Sequence, residues 1–138
     1  PARGPEPDEN TPFRYTGHPV VVPGSMGSPS YVLAGEGCDE AISSACHGAG
    51  RSVPRGKARG LDDEEYLREV APLRVVTPVN PGDPATSLRR DILAAHRARL
   101  CEEAPSAYKD VEPVVATVEE AGIARRVARL WPLFTVKG

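Results

Sequence analysis

The sequence predicts an α+β fold of mixed strands and helices, and three observations carry that prediction. Two short apolar runs, Val20-Val21-Val22 and Ser30-Tyr31-Val32-Leu33-Ala34, flank a loop of small residues, as strands of one sheet do. Two longer stretches, Thr86 to Glu103 and Asp110 to Glu120, space their apolar residues as helices do. The first strand is followed by neither a G-x-G-x-x-G turn nor a long crossover helix, so a doubly wound sheet is not expected.

The elements follow in order. Residues 1–17 hold Pro1, Pro5, Pro7 and Pro12 among charged and polar residues and read as a linker or truncated edge with no core to join. Val20 to Val22 is a strand stopped by Pro23-Gly24, and Ser30 to Ala34 is a second strand ended by Gly35-Glu36-Gly37. The two pair as a hairpin or share a sheet by another path. Asp39 to Cys46 reads as a short helix with acids at its positive end. Leu61 to Glu65 opens another, with Asp62 as cap and Glu65 at capping-box spacing, and Pro72 closes it. Leu73 to Val76 suits a strand, and Pro78, Pro81 and Pro84 make a rigid connector. Thr86 to Glu103 is the longest helical stretch, with Leu88, Ile92, Leu93, His96 and Leu100 as its stripe. In the next helix Val111, Val114, Val115 and Val118 share a face, and Gly122 is the stop. Ile123 to Leu130 reads as a further helix or turn with Val127 and Leu130 inward, and Leu133 to Val136 as a final strand.

Composition narrows the function classes. The chain has 138 residues, enough for one domain. Gly and Pro make up about a fifth of it without a glycine period, which excludes collagen and predicts irregular backbone. The net charge is -2, so gross charge points to no nucleic-acid partner, while a local basic patch stays open. Aromatics at 5% argue against a wide stacking platform. No run approaches the roughly 18 apolar residues of a membrane span, and no signal peptide is visible. Cys38, Cys46 and Cys101 make no disulfide framework, which suggests a reducing, cytoplasmic setting. The chain begins at Pro1 and its only methionine is Met26, so a processed product or a piece of something longer is expected.

The densest chemical signal is Cys46-His47-Gly48-Ala49-Gly50-Arg51. Its glycines free backbone N–H groups to form an anion nest, and Arg51 can grip a phosphate. A histidine nucleophile attacking a nucleotide phosphate needs such surroundings. A helix-terminal polar residue beside a structural turn is the plainer alternative. Pro23-Gly24-Ser25-Met26-Gly27-Ser28-Pro29-Ser30 lets a ligand approach the backbone, or is only a hairpin loop. Arg51, Arg55, Lys57 and Arg59 form a basic cluster, either a solvated face or a set of phosphate contacts. Tyr108-Lys109-Asp110 reads as an aromatic beside a helix cap, and Lys137 as a terminal charge that an anchored strand could place in a pocket. His18, His47 and His96 are scattered, and no metal-ligand spacing is present. A Cys-His pair of Cys101 with His47 stays open.

Four of these blocks, in order, resemble the carboxy-terminal part of the RtcB family of GTP-dependent RNA ligases: Pro23-Gly24-Ser25-Met26-Gly27, Cys46 to Arg51, Ala107-Tyr108-Lys109-Asp110-Val111 and the closing Val136-Lys137-Gly138. The resemblance covers residues 18–138 and implies the carboxy-terminal portion of that fold. It implies that His47 is guanylylated by GTP, with Mn²⁺ as the metal. It further implies that Pro23, Gly24, Ser25, Met26, Ser30, His47, Gly48, Ala49 and Gly50 line the nucleotide, and that Tyr108 and Lys137 line the guanine pocket. Arg51 and Arg55 are candidate contacts to phosphate or RNA. The implied partners are RNA carrying a 3'-phosphate or 2',3'-cyclic phosphate end and a 5'-hydroxyl end, and the remainder of the parent polypeptide, with no membrane. The family's manganese ligands lie upstream of the glycine-serine loop and are expected outside these residues. Pro54 stands where a serine is typical before Arg55. The alternative function is a metal-free nucleotide-binding or degenerate structural module without ligase activity of its own.

Overall fold

The computed structural model describes residues 1–137. The strands are β1 (Pro19–Val22), β2 (Ser30–Gly35), β3 (Arg74–Val76), β4 (Ala124–Leu130) and β5 (Phe134–Val136). The helices are α1 (Arg55–Ala58), α2 (Asp63–Val70), α3 (Pro84–Ser87), α4 (Arg90–Glu102) and α5 (Val111–Glu120), with a 3-10 turn at Pro105–Ala107. Mixed strands and helices of this kind make an α+β fold. The elements fall into two compact units interleaved along the chain.

The first unit contains Pro1–Gly24, Pro29–Ala49 and Asp110–Trp131. Its antiparallel sheet has the order β1-β2-β4. Alternation along β1 and β2 sends Val20, Val22, Tyr31 and Leu33 to one face, where they meet Val111, Val115 and Val118 of α5 and Ala124 of β4. The Asp110 carboxylate caps α5 by accepting the Glu112 N–H at 3.0 Å. The helix ends in a Schellman motif, with Ile123 N–H on the Val118 carbonyl, Gly122 N–H on that of Glu119, and Gly122 at φ 64°.

The second unit contains Ser25–Ser28, Gly50–Lys109 and the residues from Pro132. Met26, Tyr66, Val70, Leu73, Cys101 and Ala104 form its core. Asp62 caps α2 by accepting the N–H groups of Glu64 and Glu65. Strands β3 and β5 pair in parallel, Arg74 opposite Phe134 and Val76 opposite Val136. The Lys137 N–H continues that ladder onto the Val76 carbonyl at 2.9 Å.

Four sequence expectations give way. Residues 1–17 do join a core: Ala2 is fully buried, its N–H bonds the Ser43 carbonyl at 2.6 Å, and its carbonyl accepts from Gly37 at 3.0 Å. Backbone bonds and close glycine packing hold this segment, and apolar content reveals neither. A Cβ on Gly4 would lie 2.6 Å from the Glu36 carbonyl oxygen. Asp39 to Cys46 is a run of turns and not a helix, because Ile42 and Ser43 adopt positive φ (52° and 47°). The stretch from Thr86 divides into α3 and α4, since Asp83 draws the N–H groups of Thr86 and Ser87 into a separate turn. Leu88 is left 84% exposed. Ile123 to Leu130 becomes strand β4, paired with β2. The register shift between Val32 and Leu33 leaves Val127 without a partner, so Val127 and Leu130 face outward, 59% and 50% exposed.

Candidate functional site

In the first unit, Ala45, Cys46 and Ala49 pack against the core while His47 between them is exposed. The core thus fixes the turn, and the imidazole is left free. Gly48 has φ 147° and Gly50 φ 74°, values that suit glycine. A Cβ on Gly48 would lie 3.3 Å from the Pro23 carbonyl oxygen, so the histidine turn abuts the end of β1. A groove of about 520 Å³ runs here, lined by Pro19, Val21, Pro23, Ser44, Cys46 and His47. The Ser30 hydroxyl accepts the Gly24 N–H at 3.0 Å and ties the two flanks of the small-residue loop.

In the second unit the chemistry gathers around Glu103. Its carboxylate accepts the Tyr108 hydroxyl at 2.5 Å and lies 3.7 Å from Lys137 Nζ. Arg51 Nη1 is 3.8 Å from the same carboxylate and donates to the Tyr108 oxygen at 3.0 Å. The Arg51 guanidinium stacks over the Tyr108 ring at 4.7 Å. Burial first, and then the Glu103 carboxylate, push the Tyr108 phenol above its ordinary pKa. A cavity of about 390 Å³ opens beside this group, lined among others by Ile92, His96, Arg99, Glu103 and Lys137.

A family model described as tRNA-splicing ligase RtcB matches residues 1–138. The chain belongs to the RtcB family. It is 43% identical over 130 residues to the tRNA-splicing ligase RtcB of Pyrococcus furiosus, covering 91% of this chain and 12% of that protein. It is 42% identical over 134 residues to the tRNA-splicing ligase RtcB of Thermococcus kodakarensis, covering 96% of this chain and 25% of that protein. The chain therefore spans an eighth to a quarter of the length of these curated relatives.

The residues singled out from the RtcB resemblance divide between the units. Pro23, Gly24, Ser30, His47, Gly48 and Ala49 lie in the first, and Ser25, Met26, Gly50, Arg51, Arg55, Tyr108 and Lys137 in the second. Within the first unit Pro23 and the histidine turn meet. Within the second, Arg51, Tyr108 and Lys137 converge. Met26 is only 8% exposed in the second core, so its side chain serves packing. The hydroxyls of Ser25 and Ser28 bond to each other. Arg51 also donates to the carbonyls of Val53 and Glu102, so most of its donors are spent inside the protein. Arg55 is the freer of the two, 67% exposed and 4.0 Å from Glu102. Pro54 stands at the start of α1, where its carbonyl accepts from Lys57 and Ala58. Cys101 is fully buried and is no accessible nucleophile.

Sequence reading missed Glu102 and Glu103. Glu102 bonds Arg59 at 2.6 Å and faces Arg55, so it partly neutralises the basic cluster. The signal was an acidic pair just ahead of a proline turn, which composition alone reads as solvated. Among the described residues no group of three His, Cys, Asp or Glu side chains is placed to hold a metal ion. These residues by themselves do not make a manganese centre. Among the described residues no helix is long and apolar enough to cross a membrane.

Proposed function

We propose that this chain supplies the nucleotide-binding and guanylylation part of an RNA ligase, one that joins RNA 3'-phosphate or 2',3'-cyclic phosphate ends to 5'-hydroxyl ends. The observation that carries the reading is an exposed His47 on a glycine turn seated against Pro23, in a chain of the RtcB family. A ring nitrogen of His47 attacks the α-phosphorus of GTP. A P–N bond forms, the bond to the bridging oxygen breaks, and pyrophosphate leaves. An oxygen of the RNA 3'-phosphate then takes the GMP and frees His47. The 5'-hydroxyl oxygen finally attacks that 3'-phosphorus and GMP departs, leaving the phosphodiester. In this reading the Gly48 to Gly50 backbone carries the phosphates, and Tyr108 and Lys137 hold the guanine. Arg55 faces RNA phosphate. Mn²⁺, on ligands outside these residues, would offset phosphate charge.

The three free cysteines fit a reducing, cytoplasmic compartment. The lack of a metal cluster among the described residues favours one second reading, nucleotide binding without ligation by this chain alone. Intact mass after incubation with GTP and Mn²⁺ separates the two. The ligase reading predicts an added GMP that His47→Ala abolishes. GTP binding without an adduct supports the second reading, and neither result from folded protein sinks both.

A further inference from the structure

We infer that Glu103 is a positioning residue of the nucleotide pocket, holding Tyr108 and Lys137 in the geometry in which they meet the base. The inference rests on the nucleotide reading above and adds to it a residue that no motif supplied. Three side chains selected independently of Glu103 all reach its carboxylate: Tyr108 by a hydrogen bond of 2.5 Å, Lys137 Nζ at 3.7 Å and Arg51 Nη1 at 3.8 Å. They come from the segment after the 3-10 turn, from the residue after β5 and from the start of the second unit's longest segment. The carboxylate accepts the hydrogen bond of Tyr108 and lies within ion-pair distance of both cations.

The fold also explains why the carboxylate stays put. Glu103 is the C-terminal cap residue of α4, and its N–H bonds the Leu100 carbonyl at 3.1 Å. Its side chain is 26% exposed, shielded enough to strengthen its contacts. Lys137 is held from the other side by its backbone bond to Val76, so the ion pair fixes an ammonium whose main chain is already anchored. Glu103 and Lys137 both line the 390 Å³ cavity, so an entering base meets a lysine already aimed. Arg51 adds rigidity to Tyr108 by stacking on its ring. Glu103 touches no reacting atom and acts through its two neighbours.

The test compares wild type, Glu103→Gln and Glu103→Asp in the 138-residue chain, using GTP as the probe. Calorimetry reads binding, far-ultraviolet circular dichroism reads folding, and ultraviolet titration of tyrosinate reads Tyr108. Glu103→Gln is expected to weaken GTP binding about tenfold, the size of one charge-assisted hydrogen bond. It is also expected to lower the ionisation midpoint of Tyr108, and the lowering disappears in a Tyr108→Phe background. The Tyr108 midpoint reports the Glu103 contact itself, and GTP binding is the readout that a merely structural role leaves unmoved in a folded variant. Glu103→Asp keeps the charge with a shorter reach and carries the same comparison should Glu103→Gln unfold. Wild-type binding left intact by both substitutions overturns the role of Glu103 and leaves the nucleotide reading standing. No GTP binding by folded wild type overturns the nucleotide reading and the role with it.

Discussion

Replacing Gly48 by alanine is the sharpest probe of the histidine turn. At φ 147° an L-residue is strained, and the new Cβ would sit 3.3 Å from the Pro23 carbonyl oxygen. Strain of this kind costs about 1–3 kcal/mol. The contact is also tight, so Pro23 or the turn must give by a few tenths of an ångström. Two other glycines calibrate the effect. Gly50 has φ 74° but open space around it, so Gly50→Ala carries the left-handed cost alone, about 1–2 kcal/mol. Gly56 lies in α1 with nothing near its Cβ position, so Gly56→Ala is neutral or stabilising by up to about 1 kcal/mol. Urea denaturation followed by circular dichroism should rank Gly48→Ala as most destabilised, then Gly50→Ala, then Gly56→Ala. GMP labelling of His47 should fall about tenfold or more in Gly48→Ala, because small misplacements of reacting groups are costly. Equal stability of Gly48→Ala and Gly56→Ala, with labelling unchanged, would refute the claim that Pro23 and the turn are fitted to each other.

Three further outcomes are expected. Hydrogen bonds from Tyr31 first, and then from Arg126, hold the Glu112 carboxyl below its ordinary pKa, so its stabilisation is present above the usual glutamate range and is lost as pH falls through the lowered value; Glu112→Gln should flatten that part of an acid-denaturation curve. Ile42 holds φ 52° with an 85% exposed side chain, so Ile42→Gly should stabilise the first unit by about 1 kcal/mol in denaturant titration. Arg55→Ala should leave GMP labelling near wild type and weaken RNA binding across sequences, with the slope of log affinity against log salt reduced by about 1.

The local order of this protein is written in short-range patterns. The alternation in β1 and β2, the Asp62 and Asp110 caps, the valine face of α5 and the Gly122 stop each depend on residues within a few positions of one another. The four motif blocks are legible for a similar reason, since a glycine turn around a histidine is a local backbone requirement. Two of the failures were non-local. Ile123 to Leu130 has no clear strand signature, and β2 makes it a strand by offering a free edge while Glu112 and Glu119 anchor Arg126. Residues 1–17 looked empty of core because backbone bonds hold them.

The sequence by itself determined the fold class, most element boundaries and the glycine turn around His47, since these follow from spacing, caps and glycine. Only the tertiary structure decided that Arg51 is spent on Tyr108 and backbone carbonyls, that Met26 is core and that Glu103 joins Tyr108 to Lys137. Glu103 and Lys137 lie far apart along the chain, and a charge finds its partner through folded geometry, which no local pattern encodes.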